Sequence, residues 1–211
     1  MGISDAMDSS DAMASSDAMG SSDAMASDPP ARESSGERPR ELLLFRHGIA
    51  AERAKPSDDA SADASDDASA DLKVDGERPL TALGRSRSRA VAEQLLRLGL
   101  GADRLLSSPL VRARQTAEIA VAAGLASRLE LDGALAPGGD PLPLVLASRC
   151  PRLMLVGHEP DLGQLACRLL GAPAGAIQLK KAGLALIVLT PLPSLRLLLT
   201  PRLLLSLTPG P

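Results

Sequence analysis

An α/β sandwich built on a largely parallel sheet is the fold class this sequence predicts. Three observations predict it. Short apolar runs alternate with helix-like segments from Glu41 to the C-terminal end. The runs are bounded by capping and turn residues at regular intervals. Aliphatic residues are plentiful enough between Glu41 and Leu207 to fill a sizeable interior, in a chain whose one aromatic residue is Phe45.

Each element follows from its local sequence. Glu41 to Phe45, ending at Arg46, is an apolar run of strand length. Thr81 is a capping residue for a helix reaching about Leu98, with Val91, Leu95 and Leu98 on one face. Arg104 to Leu106 reads as a second strand. Pro109 to Ala123 reads as a second helix, with Pro109 in its first turn and Gly124 ending it. Leu129 to Leu131 is a short strand, and a helix follows over about Pro141 to Ser148. Leu153 to Val156 is another strand, then a helix runs from about Asp161 to Leu170, stopped by Gly171. Leu184 to Leu189 and Leu195 to Leu199 close the set as strands. The Leu-rich C-terminal end as a whole, interrupted by Pro191, Pro193, Arg196, Pro201 and Arg202, reads as strands and turns.

Two segments stand apart from this pattern. Residues 1–40 are of low complexity, with Ser-Asp-Ala-Met recurring from Ser4, Ser10, Ser16 and Ser22. Such a segment buries too little apolar surface to offset chain entropy and is expected to be a disordered tail. Residues 57–71 repeat Ser-Asp-Asp-Ala-Ser-Ala-Asp and read as an acidic, flexible insert within a domain spanning 41–211.

Composition excludes several functions. The 211-residue chain carries a formal net charge of -3 and lacks Trp and Tyr, so a nucleic-acid binder with a basic face and stacking platforms is not expected. The two cysteines, Cys150 and Cys167, read as reduced thiols of a cytoplasmic protein. With two histidines and no paired-cysteine motif, no metal site is expected. No apolar run approaches the ~20 residues of a membrane span, so no membrane association is expected.

The chemistry lies with the histidines. His47 follows Leu-Leu-Leu-Phe-Arg and His158 follows Leu-Met-Leu-Val-Gly, so both sit just beyond strand ends. Open α/β sheets bind ligands at the carboxyl ends of their strands. Arg46 precedes His47, and Arg112 lies after a strand at the start of a helix. Guanidinium forks match phosphoryl oxygens in geometry and charge, and a helix N-terminus adds N–H donors. Two imidazoles and two guanidiniums in one crevice would make a phosphate pocket.

Several ordered segments carry a family resemblance. These are Arg46-His47-Gly48, Arg78-Pro79-Leu80-Thr81 with Gly84, Ser108 to Thr116, Leu135 to Asp140, Val156 to Pro160 and Lys180 to Gly183. Together they resemble the histidine phosphatase superfamily, in its small bacterial phosphohistidine phosphatase branch. The resemblance implies a three-layer, phosphoglycerate mutase-like sandwich. It implies that His47 is the nucleophile and is phosphorylated during turnover, with Arg46, Arg112 and His158 binding the phosphoryl oxygens. It implies no cofactor. A backbone carbonyl is expected to fix the tautomer of His47.

Gly48, Arg78 and Glu159 are secondary candidates for substrate binding. Arg78 either turns toward the pocket mouth or anchors the loop before the helix. Glu159 either serves as an acid or matches the charge of a helix N-terminus. Larger relatives place a catalytic glutamate after the strand that here ends near Leu131. This chain reads Asp132-Gly133-Ala134 there, which favours a phosphoramidate substrate with its better leaving group. The expected partner is therefore a phosphorylated protein, such as a histidine phosphotransfer domain. A phosphatase of small phosphate esters and a non-catalytic phosphate- or phosphoprotein-binding module are the alternatives.

Overall fold

Alternation along Leu42-Leu43-Leu44-Phe45 gives the first strand two apolar faces, and such a strand is stable only between two covering layers. The computed structural model describes residues 40–52 and 75–207, and there this strand lies inside the sheet. The elements run β1 (Glu41–Arg46), α1 (Ala82–Arg97), β2 (Arg104–Ser107), α2 (Val111–Ala122), β3 (Leu129–Leu131) and a 3-10 turn (Gly133–Leu135). They continue with α3 (Leu142–Ala147), β4 (Arg152–Gly157), α4 (Asp161–Leu170), β5 (Leu184–Val188), β6 (Ser194–Leu199) and α5 (Pro201–Ser206). The predicted tail over 1–40, up to residue 39, and the predicted insert at 57–71 lie outside the described residues.

The six strands of this region are ordered β3-β2-β4-β1-β5-β6. β3, β2, β4 and β1 are mutually parallel, β5 pairs antiparallel with β1, and β6 pairs antiparallel with β5 and so runs in the direction of the parallel set. Leu43 and Phe45 of β1 pack with Val91, Leu95, Ala113, Ala117 and Leu204 from α1, α2 and α5. Leu42 and Leu44 face the other way, onto Val145, Leu162 and Leu165 of α3 and α4 and Leu135 of the 3-10 turn. Helices therefore cover both faces, and the three-layer α/β sandwich expected from the sequence is the observed architecture.

Three local readings need correction. α1 stops at Arg97, and Leu98 is its C-cap with 46% of its surface exposed, so it does not share the buried face of Val91 and Leu95. Gly99 at φ 70° turns the chain immediately after it. α2 begins at Val111, so Pro109 lies before the helix rather than in its first turn. The C-terminal run is not all strand and turn. Thr200 caps α5, its hydroxyl accepting from Leu203 N at 3.3 Å with Pro201 at the first helical position, and Leu204 is fully buried. Elsewhere the starts and ends agree to within about two residues, as with Thr81, whose hydroxyl accepts from Gly84 N at 2.9 Å.

The parallel register points the carboxyl ends of β1, β2 and β4 toward one edge of the sandwich. Arg46 is level with Gly157 across β1 and β4, and Ser107 is level with Val156 across β2 and β4. The residues that follow these strands, His47, His158 and Ser108, are thereby brought together.

Candidate active site

His47 and His158 are in van der Waals range, with ring centroids 5.0 Å apart and planes inclined by 54°. They come from stretches more than a hundred residues apart and meet because β1 and β4 are hydrogen-bonded neighbours. Both are buried, at 7% and 2% exposure. Arg112, in the first turn of α2, is 6% exposed, and its charge acts on both imidazoles. Arg46 is half-buried beside them. The four residues expected to gather around one anion are thus gathered.

Each is held by identifiable partners. His47 N donates to Gly157 O at 3.1 Å, and its Nδ1 lies 2.7 Å from Gly48 O. A carbonyl only accepts, so Nδ1 carries the proton and Nε2 keeps its lone pair. Gly48 N in turn donates to Thr116 Oγ1 at 3.0 Å. A Cβ at Gly48 would collide with Ser88 Oγ, so this position requires close approach of α1. Ala182 N donates to both Arg46 O and His47 O, at 3.1 and 3.0 Å. Ala182 adopts φ 59° to do so, a conformation that costs an L-residue roughly 1–2 kcal/mol. His158 Nε2 is 2.9 Å from Ser108 Oγ, and Arg46 Nη1 donates to Leu179 O at 2.7 Å.

Electrostatics keep both rings neutral. Burial and then the neighbouring His158 hold His47 down to about 3; its bond to Gly48 opposes them, and the Arg112 and Arg46 charges add smaller downward effects. Burial and then Arg112 hold His158 at about 4, with Asp75 pulling the other way. Burial also lowers Arg46 from its ordinary value. Arg46 Nε and His158 Nδ1 are buried without a hydrogen-bond partner among the described residues. Buried polar groups in folded cores are nearly always paired, so this pattern fits a site whose donors are kept for a ligand.

The secondary candidates fall as follows. Gly48 has its N–H on Thr116 and its carbonyl on His47, so it holds the His47 ring in place. Arg78 lies on the loop before α1, its Nε donating to Ala51 O at 2.8 Å and its Nη1 2.6 Å from Asp75 Oδ1. Glu159 accepts from Leu179 N at 2.9 Å, and burial raises its carboxyl above the usual range. It lines a cavity of about 400 Å3 with Arg46, Gln164, Gln178 and Lys180. A cleft of about 1020 Å3 opens at the amino ends of the strands around Glu41, Asp103 and Arg152 and contains neither histidine. The convergence of residues, not cavity size, therefore locates the site. Among the described residues no group of three or more His, Cys, Asp or Glu is placed to hold a metal ion.

Three site residues escaped the sequence reading. Ser108 and Thr116 lie inside the Ser108–Thr116 segment, but only the packing of β2 and α2 shows that Ser108 meets His158 and that Thr116 meets Gly48 and Arg112. Asp75 lies a few residues past the acidic tract, where a carboxylate reads as solvated. Instead it meets Arg112, with its carbonyl 2.6 Å from Nη1 and its Oδ2 3.0 Å from Nη2.

Residues 42–136 match the profile of the histidine phosphatase superfamily (branch 1). An uncharacterised protein of Picosynechococcus sp. is 42% identical over 152 residues, which cover 68% of this chain and 82% of that protein. Among solved structures, the protein histidine phosphatase SixA complexed with tungstate superposes with a TM-score of 0.60 at 24% identity, covering 77% of this chain and 97% of that one. The α-ribazole phosphatase of Shigella flexneri gives 0.54 at 17% identity, covering 76% of this chain and 96% of that one. A phosphoserine phosphatase mutant of Entamoeba histolytica gives 0.54 at 16%, covering 77% and 98%.

Proposed function

Because the chain belongs to the histidine phosphatase superfamily, we propose that it is a phosphatase hydrolysing phosphohistidine on a protein, with His47 as the group phosphorylated during turnover. The observation that carries this reading is the 2.7 Å contact of His47 Nδ1 with Gly48 O, which leaves Nε2 as a neutral nucleophile. The Nε2 lone pair forms a bond to phosphorus as the substrate's N–P bond breaks. The substrate imidazole, protonated by solvent on its other nitrogen, leaves as a neutral ring. Water then attacks the phosphorus of phospho-His47, and inorganic phosphate departs. Arg46, Arg112 and His158 neutralise charge on the transferring group, which is most of what phosphoryl transfer requires of a protein. A bound phosphoryl group would favour the protonated form of His158.

The loop after β3 supports a phosphoramidate substrate. It has no glutamate, and its carboxylate, Asp132, accepts from Ala134 N at 2.9 Å as a cap. A neutral imidazole leaving group dispenses with the acid that an alkoxide would need. A cytoplasmic setting accords with the free thiols of Cys150 and Cys167. Glu159 favours a second reading. Its carboxyl, raised by burial, lines a cavity with Arg46, which supports a role in protonating the departing oxygen of a small phosphate ester.

Incubation with a phosphorylated histidine phosphotransfer domain, and separately with a panel of phosphomonoesters, distinguishes the readings. Phosphate release from phosphohistidine alone, with an acid-labile phosphoenzyme that His47→Ala abolishes, is the expected result. Release from esters with loss in Glu159→Gln would support the second reading. Binding without release would indicate a non-catalytic module, and full activity in His47→Ala would end the mechanism.

A further inference from the structure

Arg112 brings a guanidinium to the site with 7% of its side chain exposed. A charge so far removed from water requires an anion close by. Asp75 provides two acceptors, its carbonyl to Nη1 at 2.6 Å and its Oδ2 to Nη2 at 3.0 Å. Its other carboxylate oxygen lies 2.6 Å from Arg78 Nη1, and Arg78 Nε is tied to Ala51 O, four residues past His47. A chain of charge thus runs Arg78–Asp75–Arg112 from the loop to the site. The carboxylate is also felt at His158, where it opposes Arg112. Asp75 therefore acts on two of the groups to which the proposed function assigns phosphoryl oxygens.

We propose that Asp75 is a specificity-determining residue that competes with the bound oxyanion for Arg112, weakening the hold on free inorganic phosphate. The inference rests on the reading of Arg112 as a phosphoryl ligand. Two anions sharing one guanidinium repel each other, and the doubly charged product is penalised more than a phosphoryl group whose charge is spread in transfer. Arg78 moderates the effect by drawing part of the carboxylate's charge to itself. Turnover that ends on phosphate held by two guanidiniums would otherwise be slowed by its own product.

The alternative, that Asp75 only positions Arg112, predicts the opposite sign. Asp75→Asn keeps the shape and removes the charge. Titration calorimetry with inorganic phosphate and with tungstate, alongside product inhibition by phosphate, reads the effect. The expected result is dissociation constants lower by about tenfold or more in Asp75→Asn, with stronger product inhibition. In Arg78→Gln the carboxylate loses one of its cationic partners and bears more strongly on Arg112, and oxyanion binding is expected to weaken. Equal or weaker binding in Asp75→Asn overturns the inference while leaving the phosphatase reading intact. Should Asp75→Asn not fold, equal or tighter binding in Arg78→Gln overturns it. A wild-type protein that binds neither oxyanion overturns both.

Discussion

His47 is a neutral imidazole because burial makes its cation costly and because three cationic or ionisable neighbours make it costlier. The same physics sets how stability varies with pH. The unfolded chain's histidines titrate near about 6.5, whereas the folded values are about 3 and about 4. Groups with depressed folded values contribute stability that is present above the unfolded value and is lost as pH falls toward the folded one. Melting temperature is therefore expected to drop as pH is lowered from 7 to 5. Calorimetry should show that drop flattened in a His47→Gln, His158→Gln double variant, since these are the chain's two histidines. Arg112→Ala should lower turnover by about a hundredfold or more, the typical loss for a group that meets developing charge. Steady-state rates with a phosphohistidine substrate check it, and an undiminished rate would remove Arg112 from the site.

At the level of elements, the site depends on how closely α1 approaches the loop after β1. Thr81 N donates to Ile49 O at 3.0 Å, and Ala50 bridges Leu80. A Cβ at Gly84 would strike Ile49 O, a backbone atom two residues past His47 that cannot swing aside. Gly84→Ala is therefore expected to cost roughly 1–3 kcal/mol, as overpacking does. Denaturant unfolding measures that loss, and a fall in kcat beyond it would show the loop carrying His47 being displaced. The readings that failed were also at element ends. Leu98 fits the periodicity of Val91 and Leu95, but the turn at Gly99 takes it out of the helix. The Thr-Pro start of α5 is a capping signal obscured by a leucine run that satisfies strand and helix periods equally well.

For the whole molecule, parallel strand order places the histidines, Ser108 and the start of α2 at one edge of the sheet, while the cleft around Glu41, Asp103 and Arg152 lies at the other. An oxyanion bound to the folded protein and not to the unfolded chain should stabilise it by mass action, about 2.7 kcal/mol at a hundredfold excess over Kd. Thermal melts with inorganic phosphate should rise accordingly, and Arg112→Ala should abolish the rise. The sequence by itself determined the class of fold and most element positions, and it singled out four residues that the fold brings close together. Strand length, caps and apolar alternation are local properties, and so is the order of motifs. Tertiary structure alone decided that Gly48 fixes the tautomer of His47, that Asp75 lies on Arg112 and that Arg78 meets the same carboxylate. The Asp75–Arg112 contact joins distant segments, and the loop conformation that turns Gly48 O onto the neighbouring ring is held by Thr116 from α2, so both follow from helix packing that no local pattern encodes.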